Sequence, residues 1–145
     1  MSRLDALLRR AILAAADSGT LQRLVRRHGM RLGASRFVAG ETLDEAVVVL
    51  HRLESRGLLT NTTLLGEDVG TPAETEAVVA AYTEVLERLA AEGLRTNVAL
   101  KLTHLGLSID EELAYRNVLA LVDVATRLGS FIRIDMEESA RVDAT

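Results

Sequence analysis

The sequence predicts an α/β fold, the N-terminal part of a (β/α)8 barrel preceded by an N-terminal arm of helices. After residue 57, short segments rich in β-branched residues alternate with longer amphipathic segments, in the order strand, helix, strand, helix, strand. This order implies parallel strands joined by right-handed crossovers. Polar residues also recur at a fixed interval near the strand ends, which favours a repeating strand–helix unit.

Length and composition restrict the possible functions. The chain has 145 residues, whereas a closed (β/α)8 barrel has about 250, so we expect an incomplete barrel, as in a fragment, a truncated gene product or one piece of a split enzyme. A formal charge of −4 without a basic stripe argues against nucleic-acid binding. The lack of cysteine excludes disulfides and thiolate metal sites. Without a signal-type sequence or an apolar run of about 20 residues, the expected location is cytoplasmic.

Residues 1–57 predict the helical arm. Leucine and alanine recur at helical spacing in its first part. Later, Thr42 and Glu45 match a capping box, in which a hydroxyl and a carboxylate each bind a free backbone N–H. Gly57 suits a left-handed C-terminal cap. The apolar stripe of this last helix comprises Leu43, Ala46, Val47, Leu50 and Leu53.

Residues 58–145 predict the first βα units of the barrel. The expected strands are Leu58–Leu65, Asn97–Leu102 and Phe131–Met136. Thr71 and Glu74 predict a capping box around a first-turn proline, and the helix that follows ends near Gly93. Its buried stripe comprises Val78, Val79, Tyr82, Val85, Leu86 and Leu89.

The second helix of this region is capped by Ser108 or Asp110 and ends near Gly129. Its apolar stripe comprises Leu113, Val118, Leu121, Val122 and Ala125.

Three polar residues follow the strands at equal spacing. Lys101 lies 34 residues after Glu67 (101 − 67), and Asp135 lies 34 residues after Lys101 (135 − 101). Tetratricopeptide repeats share this period, but the strand-like segments VALKL and FIRID argue for a βα repeat.

Side chains alternate between the two faces of a strand. The alternation predicts an apolar face under the helices, formed by Val98, Leu100, Leu102, Ile132, Ile134 and Met136. The opposite, polar face carries Ala99, Lys101, Thr103, Arg133, Asp135 and Glu137. A polar inner face favours a barrel with a site at its mouth, and a doubly wound open sheet remains the alternative.

Lys101 and Asp135 are the main candidates for chemistry. Lys101 can neutralise a substrate carboxylate, or it can be a solvated strand end. If their strands are neighbours, Lys101 and Asp135 can pair directly or through one water, for catalysis or only for structure. Glu67 lies at the mouth or in a loop over it, and the adjacent Asp68 could replace it. Arg133 is expected in an internal ionic network.

The remaining motifs are weak. The histidines His28, His51 and His104 form no metal pattern, so no metal site is expected. His104 can line the mouth, although a lone histidine is weak evidence. Walker, Rossmann and nucleophile-elbow motifs are lacking from the sequence.

Four segments carry a resemblance to a known family. They are RFVAGETLDEA, GLLTNTTLLGEDV, NVALKLTHLGLSID and FIRIDMEESARVD. In this order they cover essentially the whole chain, which resembles the N-terminal portion of the flavin-dependent proline dehydrogenases, in particular the monofunctional bacterial members. The combination of LLGE, a lysine at a strand end and I-D-M-E at these intervals is fairly specific.

The resemblance implies a distorted (β/α)8 barrel that binds FAD. It also implies oxidation of L-proline to Δ1-pyrroline-5-carboxylate, with electrons passed to a membrane quinone and a location possible at the inner membrane surface. By resemblance, Lys101 binds the proline carboxylate and Asp135 is the active-site aspartate. Met136 contacts the flavin, and Glu67 is a gating residue that pairs with a late arginine.

The family's later strands have no counterpart in these 145 residues. They supply the paired arginines that hold proline and most of the FAD site. Two alternatives to the enzyme therefore stay open. One is a non-catalytic half barrel that associates with itself or with a complementary fragment through its open edge. The other is a small α/β domain that binds a carboxylate.

Overall fold

A computed structural model describes residues 18–19, 38–67 and 69–145. Residues Ala46–Thr145 form one compact unit. The helices are α1 Leu43–Glu54, α2 Pro72–Ala91 and α3 Glu111–Arg127, and the strands are β1 Asn61–Thr62, β2 Asn97–Leu100 and β3 Ile132–Ile134. Single 3-10 turns span Thr103–Leu105 and Ser139–Arg141. The helices predicted before residue 38 lie almost entirely outside the described residues, as do His28 and Asp68.

The three strands form one parallel sheet in the order β1-β2-β3. Asn61 pairs with Asn97 in the first ladder. Val98 pairs with Ile132 in the second, so β2 and β3 are offset by the 34 residues seen in the sequence. The predicted strand–helix order and the parallel arrangement are therefore confirmed for this part of the chain.

The strands are shorter than predicted. β1 contains two residues instead of eight, and β2 ends at Leu100 instead of Leu102. β2 ends because the backbone at Leu102 is already helical (φ −68°, ψ −30°) and continues into the 3-10 turn Thr103–Leu105. β-Branched composition indicates where a strand can form, whereas the ladder extends only as far as the neighbouring strand pairs with it.

The predicted faces are only partly confirmed: Val98, Leu100 and Leu102 are buried as predicted, but the polar face of β2 and the apolar face of β3 differ. In β2, Val98, Ala99 and Leu100 are all buried, so Ala99 does not line a polar face. In β3 and just beyond it, Ile134 and Met136 are 46% and 60% exposed, although the pattern placed them under the helices. The reason is position: β2 lies between two strands, whereas β3 is the last strand of the described sheet.

Arg133 also differs from its prediction. Its side chain is exposed, and its guanidinium lies 5.8 Å from the centre of the Phe131 ring. In the described part of the chain it forms no salt bridge, so the predicted internal ionic network is wrong. A cation over an aromatic face is a weak attraction at an exposed site.

The helix caps follow the sequence closely. Thr71 and Glu74 form the complete predicted capping box, with Glu74 N–H donating to Thr71 Oγ1 and Thr71 N–H donating to Glu74 Oε2 at 2.9 Å. Asp110, rather than Ser108, caps α3 by accepting from Leu113 N–H at 2.7 Å.

The predicted capping box of α1 is only half formed. Glu45 N–H donates to Thr42 Oγ1 at 3.3 Å, as predicted. The Glu45 carboxylate accepts instead from Glu41 N–H at 2.8 Å. The left-handed conformation predicted for Gly57 is confirmed by its φ of +80°.

The core lies between β2 and the helices α2 and α3, which contact each other and the 3-10 turn after β2. Gly106, at φ +102°, ends that turn in the left-handed region that favours glycine. Val122 belongs to the predicted apolar stripe of α3 but is 39% exposed. The buried apolar residues of the three helices are Val47, Leu50, Tyr82, Val85, Leu86, Leu89, Ala114, Leu121 and Ala125.

A hydrogen-bonded network closes the amino-terminal end of the sheet. Glu54 Oε1 accepts from the hydroxyls of Thr60 at 3.1 Å and Thr96 at 2.9 Å, and Glu54 Oε2 accepts from Arg95 N–H at 3.1 Å. Burial raises the pKa of Glu54, but these hydrogen bonds and the nearby Arg95 charge outweigh it and lower the pKa below 4.5. The network ties the end of α1 to the residues that precede β1 and β2.

Among the described residues, no helix has both the length and the apolar composition needed to cross a membrane.

Candidate functional site

The carboxyl ends of the strands bring the three predicted polar residues to one edge of the sheet. The ladder places Leu100 opposite Ile134, and Asp135 N–H donates to Leu100 O at 2.9 Å, so Lys101 and Asp135 occupy matching positions after β2 and β3. Glu67 follows β1 and forms a salt bridge with Lys101 through Oε1 and Nζ. Parallel strands place their carboxyl ends together, which is why residues 34 apart in sequence meet here.

Lys101 has an unusual status in the composition. It is the only lysine of the chain, and the other 16 of its 17 lysine and arginine residues are arginine. Its side chain is 35% exposed, and that of its partner Glu67 is 55% exposed. The ion pair is therefore open to solvent and accessible to a small molecule.

Asp135 lies next to this pair but is not part of it. Within the described residues its exposed carboxylate forms no salt bridge, and the salt-bridge partner of Lys101 is Glu67. The direct form of the predicted Lys101–Asp135 pair is therefore not observed. The charge of Asp135 acts instead on Tyr82, where it adds to the effect of burial in raising the pKa of the phenol.

Tyr82 was predicted only as a core residue of α2. It is 1% exposed, and its hydroxyl lies 3.4 Å from Thr63 Oγ1, beyond the end of β1. Burial raises the pKa of Tyr82, while hydrogen bonds to Thr63 and to the backbone of Leu64 lower it by less. A phenol reaching from the core to the strand ends is not visible in the helical pattern, which reports only the buried ring.

His104 is a buried residue three positions after Lys101. It lies in the 3-10 turn after β2, is 9% exposed, and meets the Tyr82 ring edge-on at 6.0 Å between centroids. Its Nδ1 is buried without a hydrogen-bond partner. Burial lowers the pKa of His104 below 6.5, the charge of Lys101 lowers it further, and that of Glu137 opposes both. Burial, the largest of these effects, therefore favours the neutral imidazole.

Gly66 passes directly over the His104 ring. A Cβ at Gly66 would lie 2.5 Å from both Cε1 and Nε2 of the imidazole, which is closer than real Cβ contacts come. Glycine is therefore required by the close approach, although Gly66 does not have a positive φ.

Glu137 joins the ends of β2 and β3. Its Oε1 accepts from Thr103 N–H at 3.0 Å, and its Oε2 accepts from the Thr103 hydroxyl. The placement of Glu137 on the polar face did not reveal this link, although the signal was available because Thr103 and Glu137 are again 34 residues apart. Glu137 thereby fixes the turn that begins after Lys101.

Met136 lies between Asp135 and Glu137 and is 60% exposed. Together with Phe131 and Ile134, 55% and 46% exposed, it leaves apolar surface along the last strand. Among the described residues, no group of three His, Asp or Glu side chains could hold a metal ion.

Comparison with known proteins gives a consistent result. Residues 46–145 match the family model "Proline dehydrogenase". The chain is 34% identical to proline dehydrogenase 1 of Bacillus subtilis over 139 residues, 96% of this chain and 46% of that protein. It is also 34% identical to proline dehydrogenase of Deinococcus radiodurans over 145 residues, 98% of this chain and 46% of that protein. The chain thus spans about half the length of the curated relatives it matches.

A crystal structure has a similar fold. Proline utilization A (PutA) from Bdellovibrio bacteriovorus, inactivated by N-propargylglycine, superposes with a TM-score of 0.70 at 20% identity. The superposition covers 87% of this chain and 16% of that one. From the family model and the two relatives, the resemblance seen in the sequence is confirmed, and the chain belongs to the proline dehydrogenase family.

Proposed function

We propose that this chain supplies one side of a proline-oxidising site at the mouth of a (β/α)8 barrel. The reaction would convert L-proline to Δ1-pyrroline-5-carboxylate, with loss of two electrons and two protons. The observation that carries the proposal is Lys101: the only lysine stands at the carboxyl end of β2, paired with Glu67 and solvent-accessible. Family membership and the parallel sheet support it.

Lys101 would bind the substrate carboxylate. An ammonium group has three N–H donors, and the salt bridge to Glu67 uses one of them. The others remain for a carboxylate that approaches from solvent, and charge-assisted bonds of this kind are stronger than neutral ones.

Asp135 and Glu67 would share the remaining charges of the site. A zwitterionic amino acid carries an ammonium group as well as a carboxylate, and Asp135 offers an exposed carboxylate beside Lys101. Asp135 would therefore be the active-site aspartate that orients substrate. Glu67 would act as the gate, holding Lys101 before substrate arrives and exchanging partners when it binds.

The exposed apolar surface after β3 fits a flavin. Met136 offers a polarisable thioether, and Phe131 and Ile134 extend the apolar surface. FAD, when bound, would accept the two electrons of the oxidation and pass them to a membrane quinone. Met136 would contact it, and a cytoplasmic protein at the inner membrane surface would meet that acceptor.

Two measurements test this function. The purified protein should show the visible absorbance of a bound flavin and should reduce a dye when L-proline, but not D-proline, is added. Loss of colour and of proline-dependent reduction together would reject the enzyme. Proline binding without flavin would instead indicate a small carboxylate-binding domain.

A non-catalytic half barrel is the second candidate. The observation that favours it is the apolar surface on α3 and β3, which comprises Tyr115, Leu119, Val122, Phe131, Ile134 and Met136. A second copy covering this surface would also pair the edge of β3. Size-exclusion chromatography distinguishes the cases, since Ile134→Lys should convert such a dimer to a monomer and leave a monomeric enzyme unchanged in size.

A further inference from the structure

The His104 side chain presents an energetic problem that its surroundings do not solve by hydrogen bonding. A buried polar atom without a partner costs about 1–3 kcal/mol, and the Nδ1 of His104 is in this state. Unpaired buried groups in a folded protein call for an explanation. The imidazole is therefore held at this position by something other than its own hydrogen bonds.

The ring's contact with Gly66 supplies that explanation. The space where a Gly66 side chain would begin is occupied by the imidazole, at 2.5 Å from two ring atoms. Gly66 directly precedes Glu67, whose carboxylate reaches Lys101. The position of the Gly66 backbone against the ring therefore determines the position of the Glu67 backbone.

The ring itself stands on a fixed turn. His104 N–H donates to Lys101 O at 3.2 Å, which closes the turn directly after β2. The preceding residue, Thr103, is held by Glu137, and the ring is supported by the edge of Tyr82. One turn thus carries both Lys101 and the surface on which the Glu67 segment lies.

We propose that His104 is a positioning residue for the Glu67–Lys101 ion pair. Its buried ring packs against Gly66 and thereby places the adjacent Glu67 within reach of Lys101, the only lysine. The contact stands on geometry alone, and its effect on substrate rests on the proposed function. The imidazole acts through its shape, because its buried Nδ1 has no hydrogen-bond partner.

The first test observes the ion pair without any reaction. Protein labelled with 15N only in lysine gives one side-chain ammonium signal, because Lys101 is the only lysine. This signal should be visible in the parent and lost by fast exchange with water in Glu67→Gln. Gly66→Ala and His104→Ala should each weaken it, and the double variant Gly66→Ala/His104→Ala should recover it, because the new methyl enters the space left by the ring.

Two matched controls accompany this test. Gly70→Ala changes a glycine of the same loop whose Cβ would meet its nearest neighbour at an ordinary 3.6 Å. His51→Ala removes a histidine whose side chain is 48% exposed. Both should leave the Lys101 signal unchanged. A signal that is equally strong in Gly66→Ala and the parent, or a double variant weaker than both single variants, would overturn the proposal.

The second test separates shape from chemistry. His104→Ala should raise the KM for L-proline about tenfold with kcat within about twofold, since a displaced Glu67–Lys101 pair weakens ground-state and transition-state binding alike. His104→Phe keeps a planar ring without nitrogen and should retain the parent KM and the ammonium signal. If His104→Phe lowers kcat instead, the imidazole takes part in proton transfer and the positioning role is wrong.

The two proposals fail in different ways. A parent protein without both flavin absorbance and proline turnover rejects the proposed function, yet the lysine signal still reports whether His104 positions Glu67. If the parent turns over proline but neither Gly66→Ala nor His104→Ala changes the Lys101 signal or the KM, only the positioning role is rejected.

Discussion

The two ends of the sheet treat their charged groups in opposite ways. At the amino end, the side chain of Glu54 is 12% exposed and accepts hydrogen bonds from two hydroxyls and a backbone N–H. At the carboxyl end, Glu67 and Lys101 are open to solvent. Barrel enzymes stabilise the fold at the amino end and bind substrate at the carboxyl end. Saturated hydrogen bonding thus marks the structural end, and available donors mark the binding end.

The largest expected effect tests the binding end. Lys101→Met removes the ammonium and keeps an unbranched apolar stem, so kcat/KM for L-proline should fall about 100-fold or more, as for loss of one partner of a charged pair. Stability should change by less than about 0.5 kcal/mol, since solvent-exposed ion pairs contribute little. Steady-state dye reduction and urea unfolding measure the two quantities. Arg127→Met, a change at an exposed cation of α3, should alter neither.

The matching change at the structural end should give the reverse result. Glu54→Ala leaves the hydroxyls of Thr60 and Thr96 and the N–H of Arg95 without their acceptor, which should cost about 2 kcal/mol of unfolding free energy. The KM for L-proline should stay unchanged. Glu76→Ala, at an exposed position of α2, is the control. A comparable rise in KM for Glu54→Ala would show that the two ends are not separate in function.

Acid should weaken the two ends in different pH windows. Folding lowers the pKa of His104 below 6.5. The stability contributed by the buried neutral imidazole is therefore present above pH 6.5 and is lost as the pH falls through the folded pKa. The pKa of Glu54 lies below 4.5, so its contribution is lost only in a lower window. The free energy of unfolding, measured in urea down to about pH 3, should fall in two steps. The step at higher pH (the upper step) should vanish in His104→Phe.

The lower step should become smaller in Glu54→Gln. It cannot vanish, because two other carboxyl groups also have lowered pKa values. Hydrogen bonds from Gly70 and Thr71 lower the pKa of Glu74, and His51 and Arg88 lower that of Glu92. An upper step that persists in His104→Phe would place the acid-sensitive group elsewhere.

The smallest expected effect is the influence of the Asp135 charge, at the site, on the pKa of Tyr82, in the core. Asp135→Asn removes a negative charge that raises the pKa of Tyr82, so the pKa of this phenol should fall. It should stay above 10.0, because burial is the larger cause. Ultraviolet titration in a Tyr115→Phe background isolates Tyr82, since the chain has two tyrosines. An unchanged titration would mean that Asp135 points away from the core.

Local chemistry made much of this fold predictable. The capping box at Thr71 and the parallel order of the strands follow from rules that act over a few residues or one βα unit. The burial of Ala99 and the exposure of Ile134 could not be predicted, because they depend on which strand has neighbours on both sides. Alternation within a strand does not contain that information.

For the site, the sequence likewise predicted positions but not side-chain contacts. The interval of 34 residues placed Glu67, Lys101 and Asp135 at one edge, and the structure brings them there. It did not reveal which carboxylate pairs with Lys101, because side-chain partners depend on the loop after β1. The burial of His104 was equally hidden, since a single polar residue in a short turn carries no periodic signal.

The register of the first ladder explains why that loop needs support. Thr62 pairs with Val98, yet Glu67 meets Lys101. From the paired strand residue to the salt bridge, the chain advances five residues after β1 (67 − 62) but only three after β2 (101 − 98). Two surplus residues must bend out of line, and an unsupported bend can assume many shapes. The tolerance of this family member to insertions and deletions should therefore be lowest between Thr63 and Glu67, where a change of one residue would move the carboxylate off its lysine.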